Sequence, residues 1–334
     1  MTPPKESDLP PQGPMPGAPG ENDIQLPKAG KMPMRTLGKT GVQVSLIGIG
    51  GYHLGMPRDD AEATRIVHFA MDHGVTFLDN CWDYHDGKSE ERMGRALSDG
   101  GRRQKAFLMT KLDGRTAQAA TEQLEQSFKR LKTDVIDLVQ IHEVIRLNDA
   151  ERVFSTGGAI EALIAAKKEG KLRFIGFTGH KDPAIHLHML ETAKQRGFAF
   201  DTVQMPINVL DIHFKSFEKN VLPVLRERGI GVLGMKPMGA GIILESGAAT
   251  APECLRYAMS APTSVVITGC ETMGVLKQAI AVAWAFKPLT DREREALLAR
   301  TAAAAANGRF EPFKTSEQFD GTSQHPRWLE TAQL

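Results

Sequence analysis

Four side chains in this 334-residue sequence are of the kinds that protonate and polarise an oxygen atom: Asp79, Tyr84, Lys111 and His142. A tyrosine hydroxyl, with an unperturbed pKa near ~10, is a poor acid at neutral pH unless its phenolate is stabilised. Lys111 is suited to supply that stabilisation, and Asp79 to keep a buried lysine charged and oriented. His142 can hydrogen-bond a carbonyl oxygen and aim it at Tyr84. General acid help of this sort contributes ~10² to 10⁴-fold, and polarising the carbonyl adds to it. Such a group of residues delivers a proton but no electrons, so a hydride source is required.

These residues are far apart in the chain, and what must gather them is a repeating element. Asp79 ends Phe77-Leu78-Asp79, Lys111 ends Met109-Thr110-Lys111, and His142 ends Val139-Gln140-Ile141-His142; Tyr84 follows in the loop after Asp79. The apolar runs number eight: Leu46–Gly50, Val75–Asp79, Ala106–Thr110, Val135–His142, Arg173–Thr178, Thr202–Met205, Gly231–Met235 and Ser264–Thr268. Between them lie amphipathic stretches of helical period, such as Ala63, Ile66, Val67, Ala70 and Met71 after Asp59-Asp60 and before Gly74, and Leu124, Phe128 and Leu131 after Thr116. Alternation of this kind predicts an α/β fold, a (β/α)8 TIM barrel, whose reactive side chains sit at the C-terminal strand ends. A doubly wound sheet would need a dinucleotide fingerprint at the first strand, and Gly48-Ile49-Gly50-Gly51-Tyr52-His53 has histidine at the third glycine position.

Three segments are expected. Residues 1–33 are expected to be a disordered extension: the first thirty hold eight of the nineteen prolines and few large apolar side chains. Residues 34–306 form the barrel, opening with a β-hairpin in which Met34–Leu37 and Val42–Val44 flank Gly38-Lys39-Thr40-Gly41 as a lid or floor. Residues 307–334, with Phe310, Phe313, Phe319 and Trp328, are a tail that wraps the barrel, covers a partner surface or is mobile.

With 41 basic and 40 acidic residues the formal charge is +1, which argues against nucleic acid or an anionic membrane as partner. No apolar run is long enough to span a bilayer, no export signal opens the sequence, and Cys81, Cys254 and Cys270 have neither disulfide nor metal-ligand spacing. A cytoplasmic location and no metal are expected, and Cys81 is expected to be an inert buried thiol. His186-x-His188 follows a helix start at Asp182-Pro183, where residues two apart do not share a face, and is expected to be a surface feature.

On these residues the sequence resembles the aldo-keto reductase family. The likeness runs from Met34-Arg35-Thr36-Leu37-Gly38 through Leu46–Gly51, Phe77–Tyr84 with Gly87-Lys88-Ser89-Glu90, Thr110-Lys111 and Gln140–His142 to Val265–Gly269 and the helix beyond. It implies a barrel that binds a nicotinamide dinucleotide, with the family's catalytic tetrad at Asp79, Tyr84, Lys111 and His142. Cofactor contacts are implied at Gly50, Gly51, Tyr52, Asp79, Thr178, Gly179 and Gln204. Further contacts are implied along Met235-Lys236-Pro237-Met238-Gly239 and at Gly269, Cys270, Lys277 and Gln278. Thr178-Gly179 replaces the usual Ser-Asn, and Met235 stands where an aromatic residue often stacks on the nicotinamide.

In Gly269–Ala279 the usual arginine and asparagine are replaced, at Val275 and Ala279. Glu271 would repel a 2′-phosphate if it pointed inward, and Lys277 is available to compensate. NADP(H) is favoured by the resemblance, with NAD(H) the alternative. The expected activity is reduction of a small-molecule carbonyl, an aldehyde or ketone, with Trp82, His85 and the loop 143–156 shaping the substrate pocket. The rival reading is a non-catalytic, cofactor-sensing module like the channel-associated β subunits that share the family's pattern; a metal-dependent hydrolase on the same barrel is a third.

Overall fold

Eight parallel strands close on themselves: β3 (Ile47–Gly50), β4 (Phe77–Leu78), β5 (Phe107–Leu112), β6 (Ile136–Ile141), β7 (Leu172–Thr178), β8 (Thr202–Pro206), β9 (Gly231–Met235) and β10 (Val265–Gly269), each hydrogen-bonded to the next and β10 to β3. This computed structural model describes residues 18–334. The strands lie within a residue or two of their predicted limits, except that β4 is only two residues long. Alternation sets the layers. Phe107, Met109, Leu138, Val265 and Ile267 fill the barrel interior, whereas Leu108, Val139 and Val266 pack outward against the helices.

The hairpin of β1 (Met34–Thr36) and β2 (Gln43–Ser45) is a floor and not a lid. Its Leu37 and Val44 join the interior cluster, and Lys39 N–H donates to Gly229 O just ahead of β9. The first long helix, Asp60–Asp72, starts where the Asp59 carboxylate accepts from Glu62 N–H and buries Ala63, Ile66, Val67 and Ala70. Gly74, at φ +90°, turns the chain from that helix towards β4, a conformation side chains disfavour.

The segment expected to be disordered divides. Residues 1–17 lie outside the described residues, but 18–33 rest on the barrel. Met32 is buried, Gly30 sits against the Trp284 ring, and Glu21 receives two hydrogen bonds from Arg65. Proline content alone misses this, because the few apolar and charged residues of 18–33 find partners on helices far along the chain.

The tail crosses the C-terminal mouth of the barrel. Glu143 accepts from the N–H groups of Gly321 and Thr322, Asp320 binds His180 and Lys181, and Gln123 donates to Trp328 O. Lys314, fully buried, lies 2.7 Å from Asp211 and 2.9 Å from Glu311. Replacing Lys314 by Met leaves two buried carboxylates uncompensated, so a loss of about 3–5 kcal/mol is expected in denaturant unfolding. An unchanged midpoint would contradict this account of how the tail is held. Among the described residues no helix is long and apolar enough to cross a membrane.

Candidate active site

At the C-terminal mouth the four predicted side chains converge. Lys111 is the penultimate residue of β5, Asp79 directly follows β4, and His142 directly follows β6. Adjacent strands of a barrel bring these ends together although the sequence separates them by tens of residues. Gly51 makes room for the Asp79 loop, since a β-carbon there would fall 2.6 Å from Asp79 O. Lys111 Nζ is 2.6 Å from Asp79 Oδ1, donates to Asn80 O at 2.7 Å, and donates to the Tyr84 hydroxyl oxygen at 3.2 Å. The Tyr84 oxygen therefore accepts from the ammonium and keeps its own hydrogen for another acceptor. The Tyr84 and His142 rings meet edge-on, 5.8 Å apart.

The electrostatics correct one expectation. Burial, with Asp79 and neighbouring acids next, raises the Tyr84 pKa well above its ordinary value. Burial and the neighbouring acids thus prevail at the phenol despite the Lys111 contact, and Tyr84 keeps its proton in the resting protein. Asp79 is likewise raised by burial, with Lys111 opposing.

His142 is surrounded by acids that the sequence reading missed. Its Nδ1 lies 2.9 Å from Asp113 Oδ1, 3.2 Å from Cys81 Sγ and 3.6 Å from Asp83 Oδ1. Burial lowers the His142 pKa, against the pull of Asp83 and Glu143. It raises Asp83 to about 6, and Asp113 and Glu143 each to about 7. Behind them Arg115, buried against Asp149, donates to the carbonyl oxygens of Asp113, His142 and Glu143 and so ties the loops after β5 and β6 together. The available signal was Lys111-x-Asp113-x-Arg115, alternating charges just past an apolar strand.

A cavity of about 190 Å³ opens over this group. Asp79, Tyr84, Lys111 and His142 all line it, as do Gly50, Tyr52, Thr178, Gly179, Gln204, Met235, Lys236, Pro237, Met238 and Gly269. Gly51, Gly239, Cys270, Lys277 and Gln278 do not. Lys277 is bound instead to the Glu21 carbonyl at 3.0 Å and lies 3.8 Å from its carboxylate.

The two proposed substrate residues also fall elsewhere. Trp82 is buried under the tail, donating to Gln126 and meeting Trp328 edge-on, because consecutive loop residues point opposite ways and Asp83 takes the cavity side. His85 bonds Tyr52 O behind the cavity wall. In their place the tail supplies Gln318, Phe319, Gln324 and His325, which no local pattern could assign to the mouth. His186 is no surface residue: it packs between Phe177 and Phe217, and His188 alone of the pair reaches solvent, half-buried beside Glu151.

Comparison with known proteins gives this geometry a context. A sequence model of the aldo/keto reductase family matches residues 46–253. The chain is 29% identical over 237 residues to the uncharacterised oxidoreductase YrpG of Bacillus subtilis, covering 64% of this chain and 70% of that one. It is 28% identical over 237 residues to L-galactose dehydrogenase of Arabidopsis thaliana, covering 65% and 69%. In fold it is similar to the holo form of aldo-keto reductase AKR11C1 from Bacillus halodurans, with a TM-score of 0.67 at 24% identity over 84% of this chain and 100% of that one.

Proposed function

The chain belongs to the aldo/keto reductase family, a family of oxidoreductases, and from that premise we propose that it reduces an aldehyde or ketone with a nicotinamide dinucleotide, Tyr84 giving the proton. The observation that carries this reading is the Asp79–Lys111–Tyr84 chain of contacts opening on a cavity that His142 also lines. The cavity suits the cofactor's amide end: Gln204 Oε1 is buried, has no hydrogen-bond partner among the described residues, and lies on the same wall as Thr178. Gln204 and Thr178 would hold the carboxamide, Gly50 and Gly269 would allow close approach, and Met235 would flank the ring. A reduced nicotinamide bound there supplies the hydride.

As negative charge grows on the carbonyl oxygen, Tyr84 transfers its proton to it, and Lys111 stabilises the phenolate that remains. Asp79, 2.6 Å from the ammonium, holds Lys111 in place. With Nδ1 of His142 facing Asp113, Nε2 is the ring nitrogen left for the substrate oxygen.

Family likeness alone favours NADPH, but the chain's own residues favour NADH. Glu271 is buried with neither carboxylate oxygen hydrogen-bonded among the described residues, and Lys277 is committed to Glu21. A 2′-phosphate near them would meet the Glu271 carboxylate while Lys277 is engaged elsewhere.

The test follows cofactor absorbance with NADH and NADPH against a panel of aldehydes and ketones. Turnover with at least one carbonyl, and a higher kcat/KM for NADH, are expected; no oxidation of either cofactor with any carbonyl would defeat the proposal. Lys236, its pKa lowered to about 8 mainly by burial, lines the same cavity. It loses its charge as pH rises through that value, so cofactor KM is expected to increase above pH 8, and Lys236→Met to flatten the profile.

A further inference from the structure

We propose that Cys81, Asp83, Asp113 and His142 form a zinc site directly behind the imidazole that lines the cavity. The four come from three separate loops, which is why no ligand spacing shows in the sequence. Their Sγ, carboxylate and Nδ1 atoms all lie within 4.8 Å of one another, and all four residues are buried. The separations from His142 Nδ1 are 3.2 Å to sulfur, 2.9 Å to Asp113 and 3.6 Å to Asp83. Tetrahedral zinc with bonds of ~2.0–2.3 Å places its ligand atoms roughly 3.3–3.7 Å apart, close to the separations from Nδ1, while the wider pairs among the four would draw in by up to about an ångström on binding.

The hydrogen-bond accounting points the same way. Nδ1 carries at most one hydrogen, yet a thiol and two carboxylates face it. Asp83 Oδ1 and Asp113 Oδ2 have no hydrogen-bond partner among the described residues. Buried carboxylate oxygens left in that condition are costly, and an ion is one of the few things that satisfies them. The donor set chooses the metal: calcium and magnesium want oxygen alone, whereas a thiolate, an imidazole and two carboxylates in a closed four-ligand cage suit zinc.

Binding replaces the Cys81 thiol proton with the metal, and that proton, with any held by the two carboxyls, leaves to solvent. Arg115 is already in place as support, gripping the carbonyls of Asp113 and His142. With Nδ1 on the metal, the remaining imidazole hydrogen is fixed on Nε2, and the ring becomes a hydrogen-bond donor towards the cavity.

The test titrates the full chain, freed of metal, with Co²⁺ as a spectroscopic stand-in. We expect visible bands of tetrahedral cobalt with a thiolate-to-cobalt charge-transfer band, all displaced by one equivalent of Zn²⁺. Cys81→Ser should lose the charge-transfer band, and Asp113→Asn should weaken apparent affinity at least about 10-fold. Absence of these bands in folded wild-type protein overturns the site, as does their persistence unchanged in both variants. Should a variant fail to fold, the wild-type titration and the zinc content of the purified chain decide. These readouts are independent of turnover, so a failed reductase assay and a failed metal site are distinguishable.

Discussion

Tyr84→Phe is expected to lower kcat by about 10²–10⁴-fold with the most active carbonyl, while cofactor binding and the unfolding midpoint stay close to wild type. The substitution removes one oxygen from a ring that keeps its edge-on contacts with Tyr52 and His142. What disappears is the hydrogen that the Lys111 contact leaves available and the oxygen on which Lys111 would stabilise charge. Because burial holds the Tyr84 proton in place, no pre-ionised phenolate is lost, and the effect belongs to the transition state. Single-turnover rates with preloaded cofactor provide the measurement. Equal rates for the variant and wild type would remove Tyr84 from the chemistry and favour a purely binding role for the fold.

Lys111→Met is expected to abolish measurable reduction and also to destabilise the protein by about 3–5 kcal/mol. Activity falls because the phenolate loses its counter-charge; stability falls because Asp79, almost fully buried, is left without the ammonium 2.6 Å away. The two effects separate in a double variant. Lys111→Met with Asp79→Asn removes the uncompensated carboxylate, so most of the stability returns while activity does not. Recovery of both, or of neither, would show that the pair's role has been misassigned.

The polar strand ends were legible because hydrophobic strands do not need them: Asp79, Lys111 and His142 each interrupt an apolar run, and the eight-fold alternation already required a common rim. The acids around His142 were not legible in the same way. Asp83 and Asp113 meet His142 only when β4, β5 and β6 are set side by side. Trp82 was misplaced for a related reason: residue type suggests a pocket, but direction along an irregular loop is decided by packing, here against Trp328.

The sequence by itself determined the barrel, through periodicity that depends only on near neighbours, and that Asp79, Lys111 and His142 share one rim with Tyr84, through their position in that period. Tertiary structure alone decided what surrounds them: which loop residues turn inward, that Lys277 is held by Glu21, and that the tail roofs the cavity. The physical reason is range. Strand and helix patterns are written within a few residues, whereas burial, charge pairing and pocket shape arise from segments as far apart as Glu143 and Gly321, whose contact no local pattern encodes.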